Sequence, residues 1–248
     1  MKKLGLMVAG ATMFLAVAGF TACSFDSNGT TVNGNLSYVQ DDLLEKSFKE
    51  IDVEMVADVY YTQNDGDECS VRLDYSAIKD EKFLKELKEK LKVVYREDKV
   101  VIGCKGSIKV PVSCMSKDVK LKIYITSPDL VKVSQEGAGN FHAKVINSDR
   151  FAIDNEGVGS VYIGKILANK VTVDNEGVGS VNLGFFKGGS LNIQCEGAGS
   201  VEAKVDCQSV HATSEGVGGI NLSGVTRQYS KKKDGVGGIS DSGLTVRK

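Results

Sequence analysis

The chain reads as all-β, a parallel β-helix built from coils of about twenty residues. Three observations predict it: a phrase repeated at near-constant spacing, alternating apolar residues on both sides of each phrase, and like residues at like offsets. The phrase opens as Glu136-Gly137-Ala138-Gly139-Asn140 and returns at Glu156, Glu176, Glu196, Glu215 and Asp234, in steps of 20, 20, 20, 19 and 19 residues. A fixed period of this length marks stacked repeats.

Each repeat has the same parts. Before the phrase lie Val131 and Val133, Phe151 and Ile153, Val171 and Val173, Leu191 and Ile193, and Val210 and Ala212. After it come Phe141 and Ala143, Val161 and Ile163, Val181 and Leu183, Val201 and Ala203, and Ile220 and Leu222. Period-two alternation predicts strands with one buried face. The glycines of the phrase are expected to make a tight bend that uses positive φ, and the Ala or Val between them to point inward. A third apolar position is expected near Val145, Ile166, Phe185, Val205, Val225 and Leu244. The second corner is polar and variable: Asn147-Ser148-Asp149, Ala168-Asn169-Lys170, Lys187-Gly188-Gly189-Ser190, Asp206-Cys207-Gln208.

One such repeat buries too little apolar surface to fold alone, so stability has to be collective. Antiparallel hairpins and parallel coils both satisfy the alternation. The recurrence of like residues at like offsets favours coils in register, and six of them at about 4.8 Å each make a rod about 29 Å long.

Residues 1–22 read as a lipoprotein signal peptide. Lys2 and Lys3 precede an apolar run from Leu4 to Gly19, and Phe20-Thr21-Ala22 leads to Cys23. The run is short for a membrane span. Its ending resembles a lipobox, which implies cleavage before Cys23 and lipidation of that cysteine. Residues 23–38, rich in Ser, Asn, Gly and Thr, read as a flexible tether. Asp26, a single acid just after the cysteine, is a slight signal for surface export.

Residues 39–130 form the N-terminal head and 131–248 the six-repeat β-helix. In the head, strands are expected from Phe48 to Met55, over Ala57–Gln63, through Cys69, Val71, Leu73 and Tyr75, and over Lys92–Tyr95, Lys99–Cys104 and Val119–Thr126. Asn64-Asp65-Gly66-Asp67 is a turn signal. One helix is expected over Lys79–Lys92: Phe83, Leu84, Leu87 and Leu91 share a face, and Glu81–Lys85 and Glu86–Lys90 have supportive spacing. The head reads as the atypical end of the solenoid rather than as a separate domain, since terminal faces need covering. At the far end Lys231, Lys232 and Lys233 break the apolar pattern, and Asp241 falls where Ile163 or Leu183 sits in earlier repeats.

Composition narrows the function classes. The net charge is −1, so no basic field exists to attract nucleic acid. There is no tryptophan and there are few other aromatics, which argues against aromatic sugar-stacking platforms. Six cysteines include Cys23. The other five are Cys69, Cys104, Cys114, Cys195 and Cys207, an odd number, with Cys104 and Cys114 as candidates for a disulfide. Cys195 occupies the offset of Asn155 and Asn175 and is expected to be a small buried residue. No CxxC and no His/Cys cluster marks a metal or redox site, and no cofactor is implied.

The repeated acid is the one site-like feature. Glu136, Glu156, Glu176, Glu196, Glu215 and Asp234 should stack as a ladder at the Gly corner. Such a ladder either caps the corners by accepting backbone N–H groups or holds hard cations such as calcium. The Gly-Gly-x-Gly-x-Asp calcium motif is absent. The Gly-x-Gly phrases precede strands, so they are not dinucleotide fingerprints. His142 and His211 fall outward on strands, and no GxSxG elbow is present. Asp154 and Asp174 share an offset and have Arg150 and Lys170 near in repeat position, the one arrangement that could support lyase-like acid/base chemistry.

The lipobox, the Phe48-Lys49-Glu50-Ile51 opening, the Leu87 and Val100-Val101-Ile102 stretch, Thr126-Ser127-Pro128-Asp129-Leu130 and the Gly-x-Gly repeats together resemble the DUF2807 or head GIN domain family. The resemblance covers residues 46–248. Where that family uses Gly-Ser-Gly, this chain has Gly-Val-Gly or Gly-Ala-Gly. The resemblance implies a right-handed, single-stranded, pectin-lyase-like β-helix without a retained catalytic set, from a group frequent in Bacteroidetes. The expected function is that of a lipid-anchored adhesin or surface-binding protein of the cell envelope, held to the outer membrane through Cys23. Its expected partner is a glycan or a protein. A polysaccharide-degrading enzyme and a structural periplasmic protein are the alternatives.

Overall fold

The computed structural model describes residues 30–33, 47–111 and 120–247. The leader, Cys23, most of the tether and Cys114 lie outside the described residues. Within the tether stretch a short strand, β1 (Thr30–Asn33), runs antiparallel to β5 (Leu91–Arg96).

The repeats form a β-solenoid of parallel coils. Its strands are β8 (Lys132–Gln135), β9 (Phe141–Asn147), β10 (Arg150–Asn155), β11 (Val161–Asn175), β12 (Val181–Cys195), β13 (Val201–Ser214), β14 (Ile220–Lys233) and β15 (Ile239–Val246). The long strands turn corners within themselves. β11 pairs with β12 along residues 161–163, 166–168 and 170–175, three short sides of one coil. Val161, Val181, Val201 and Ile220 stand in register and are fully buried, as do Val171, Leu191 and Val210. The alternation thus builds apolar columns down the inside of the rod.

The glycine corners have a different cause from the one expected. None of the phrase glycines has a positive φ; among the described residues the positive-φ glycines are Gly106 and Gly224. A Cβ on Gly159 would instead strike the carbonyl oxygen of Gly139, and one on Gly179 that of Gly159. Adjacent coils touch backbone to backbone here, and only glycine fits. The residue between the glycines points outward rather than inward: Val158, Val178, Val217 and Val236 are all exposed. With an inward glycine on either side, alternation leaves it no other direction.

The third inward column is also shifted. Ile146, Ile166, Phe186 and Val205 are buried in register, whereas Val145 is exposed and Phe185 only partly covered. Where two apolar residues adjoin, the bend before the second side decides which enters. Beneath each corner runs a buried column of Gln135, Asn155, Asn175, Cys195 and Ser214. Asn155 donates to Asn175 at 2.7 Å, Asn175 to the Cys195 sulfur at 3.9 Å, and Cys195 to the Gly199 carbonyl at 3.3 Å.

The head joins the same stack, but not in chain order. β2 (Glu50–Val53) pairs in parallel with β8 above it and with β6 (Lys99–Cys104) below. β3 (Ala57–Gln63) likewise lies between β9 and β7 (Leu121–Ser127). The chain therefore enters on the second rung, makes an excursion, lays down the rung beneath, and then climbs above its own start. β5 and β4 (Ser70–Asp74) close the lower edge antiparallel to β6 and β7. Between them runs α1 (Glu81–Lys90). Asp80 caps it by accepting from the Phe83 N–H at 2.9 Å, and Phe83 and Leu87 enter the common core. The helix is shorter than expected because Leu91, fully buried, already belongs to β5. Glu86 and Lys90 pair at 2.7 Å.

At the other end the apolar columns stop. Lys231, in register with Ala212, pairs at 2.7 Å with Asp241 on the last strand. A solvated ion pair thus stands where inward apolar residues stood one coil earlier. The described cysteines, Cys69, Cys104, Cys195 and Cys207, are buried free thiols. Burial pushes the Cys104 thiol up to about 12, which leaves it unreactive at neutral pH.

The two kinds of corner position predict opposite mutational outcomes. Gly179→Ala should lose about 3 kcal/mol in urea unfolding, because a backbone has to move. Val178→Ala, at a position 63% exposed, should change stability by no more than about 0.5 kcal/mol. Equal effects would remove the backbone-contact explanation.

Candidate functional site

The six repeated acids stand at like places on the coils. Glu136, Glu156, Glu176, Glu196, Glu215 and Asp234 are all exposed at successive corners. They are not the caps of those corners, because the backbone already supplies them. The Gln135 carbonyl accepts from both Glu156 N (3.1 Å) and Gly157 N (2.9 Å), and the Asn155 carbonyl from Glu176 N (3.0 Å) and Gly177 N (2.9 Å). The carboxylates are left to face solvent. Gln194 donates to Glu196, and Lys232 reaches Glu215 at 3.0 Å and Asp234 at 3.7 Å.

A second column runs beside the ladder, two residues earlier in each coil. In register it reads Asp52, Ser134, Asp154, Asp174, Gln194, Thr213, Lys232. Asp154 and Asp174 are coil neighbours, as their shared offset predicts. The cation beside Asp154 is Lys132, however, not Arg150, which leans to Asp149 at 3.7 Å. Burial first, then the neighbouring acids Asp154, Glu176 and Glu196, push the Asp174 carboxyl above its usual range.

The two columns meet at the head, where sequence reasoning had no acid to add. Asp52, Glu54 and Glu136 place carboxylate oxygens within 4.8 Å of one another. Burial, then Asp52 and Glu136, pushes Glu54 up to about 7. Burial alone raises Asp52, and burial followed by Asp52 and Glu156 raises Glu136, with Lys99, 3.6 Å from Asp52, acting against both. The group can hold a proton or accept from cationic and hydroxyl donors. Its connection to the ladder is hidden in sequence, because β2 and β8 are far apart along the chain.

A further outward column escaped prediction altogether. Tyr124, Tyr60, His142 and Tyr162 stack with centroids 5.4, 5.1 and 5.2 Å apart, and the Arg72 guanidinium lies 4.1 Å over Tyr124. Three of the chain's 17 phenylalanines and tyrosines line up here with one histidine. Each inner ring has its faces covered by its neighbours, so the column offers edges and hydroxyls, with Tyr162 exposed at its end. Burial holds the His142 imidazole below its usual value. His211 accepts from or donates to Ser230 at 2.7 Å, outside this column. No helix among the described residues is long and apolar enough to cross a membrane.

The model of a family described as "Putative auto-transporter adhesin, head GIN domain" matches residues 47–185. A solved structure described as a putative adhesin from Bacteroides fragilis NCTC 9343 is similar over 87% of this chain and 97% of its own, with a TM-score of 0.63 and 24% identity. Another, described as a putative adhesin from Parabacteroides distasonis ATCC 8503, covers 86% of this chain and 97% of its own, with a TM-score of 0.52 and 15% identity. These two likenesses are of fold. No curated protein matches the chain.

The acid cluster has a pH signature. A carboxyl raised to about 7 in the folded state, against 4.5 unfolded, favours folding when protonated. Its contribution is greatest below pH 4.5, falls between pH 4.5 and 7, and is level above. Glu54→Gln should therefore stabilise the protein at pH 8 by roughly 1 kcal/mol, a figure reduced for the partial solvation of Glu54. The gain should shrink towards pH 5. Thermal melts at the two pH values check this; an equal gain at both contradicts it.

Proposed function

We infer the role of this chain from its kin: it belongs to the DUF2807 family, described as "Putative auto-transporter adhesin, head GIN domain". On this reading the protein is a lipid-anchored adhesin or surface-binding protein of the cell envelope. Cys23 carries the lipid, residues 23–38 form the tether, and the solenoid is the displayed part. The observation that supports the reading best is the outer surface of the rod. Acidic and aromatic side chains recur in register on successive coils, a linear array suited to an extended partner such as a glycan or a surface protein. Arrayed weak contacts reach useful strength when several engage together.

Two measurements test this. Cys23→Ser should move the protein from the membrane fraction to the soluble fraction on fractionation. Protease applied to intact cells should remove the wild-type rod; protection until the outer membrane is broken would overturn display and favour a periplasmic structural role.

A further inference from the structure

A cleft of about 360 Å³ lies at the second corner of the last coils, away from the acid ladder. Lys187, Arg227 and Arg247 line it together with Asp206, Gln208 and Gly188. Arg227 and Arg247 follow residues paired in register, Thr226 and Val246, and the Arg247 N–H bonds the Thr226 carbonyl at 2.8 Å. The two guanidinium groups therefore rise from adjacent coils at the same position, like charges side by side. Among the described residues no carboxylate lies within ion-pair distance of Lys187, Arg227 or Arg247, Asp206 included. Elsewhere on the rod Lys132, Lys231 and Lys232 find partners, whereas among the described residues Lys165, Lys170 and Lys204 stand singly; what sets the cleft apart is that three cations line one recess.

The floor of the cleft is tightly packed. Gly188 offers no side chain, and a Cβ there would strike the Ala168 carbonyl. Cys207 and Thr226 beneath are buried, and Thr226 is fixed by its bond to the Gln228 carbonyl at 3.0 Å. Three cations that meet no carboxylate among the described residues, over a rigid floor, suit an oxyanion, and paired guanidinium groups suit one with planar or tetrahedral oxygens. The Gln208 amide and the Asp206 carboxylate can meet hydroxyl groups. The volume is at the small end for ligand sites, about one sugar ring.

We propose that the cleft formed by Lys187, Arg227 and Arg247 binds the sulfate or carboxylate group of an acidic saccharide. The proposal rests on the surface-binding reading above and names the chemistry of its partner.

Titration calorimetry on the full chain tests it, with a sulfated disaccharide, its unsulfated counterpart, inorganic sulfate and phosphatidylglycerol vesicles as probes. The sulfated disaccharide should bind, the unsulfated one should not, and Arg227→Gln should weaken binding at least tenfold. Lys170→Gln, a cation outside the cleft, should leave it unchanged. Arg227 is exposed, so its replacement leaves the fold intact, which circular dichroism checks. No binding of the sulfated disaccharide, equal loss in Lys170→Gln, inorganic sulfate binding as well as the sugar, or preference for vesicles would each overturn the proposal. A rod protected from protease on cells that still binds the sulfated sugar through Arg227 would remove display and keep the cleft. A rod that is shaved but shows no sulfate-dependent binding would do the reverse.

Discussion

The structure depends on how closely one coil's backbone approaches the next at the Gly-x-Gly corner. There the carbonyl beneath each corner but the last takes two N–H groups from the coil above, and the glycines of both coils pass within backbone contact. Everything else follows from that spacing. It holds the coils in register, so inward apolar residues form continuous columns. It also sends the intervening Val or Ala to the surface and brings the acids into line.

Alignment has an electrostatic cost. Neighbouring carboxylates about 5 Å apart repel by roughly 0.8 kcal/mol per pair in water, less with salt. The chain moderates this at the ends of the array rather than along it. Lys99 and Lys132 stand at the head end and Lys232 at the tail. Burial shifts the carboxyls of Asp52, Glu54 and Glu136 upward, with crowding adding to it at Glu54 and Glu136, even though Lys99 pairs with Asp52.

Much of the fold was legible because a solenoid writes its register into its sequence. The six acids, the alternation and the buried place of Cys195 all followed from offsets. The direction of Val178 did not, because apolar character suggests burial while the flanking glycines forbid it. Nor did the choice of Phe186 over Phe185, since both are apolar and only the bend separates them. The Tyr60–His142 stack and the Glu54–Glu136 contact were out of reach for another reason. They join segments that the repeat does not index, across a head whose rungs are out of chain order.

That interleaving governs the order of assembly. Eighty-two positions separate Ile51 from its partner Val133, so β2 cannot be covered from above until the repeats begin to form. Closing a loop of that length costs roughly 4 kcal/mol of chain entropy. Coils such as β11 and β12 close loops of only twenty residues and pair along their whole length. By loop closure alone, nucleation is favoured in the middle of the rod, with the β2 rung threaded in afterwards. A chain delivered amino terminus first therefore stays unable to fold until most of it has arrived, a kinetic delay set by topology alone.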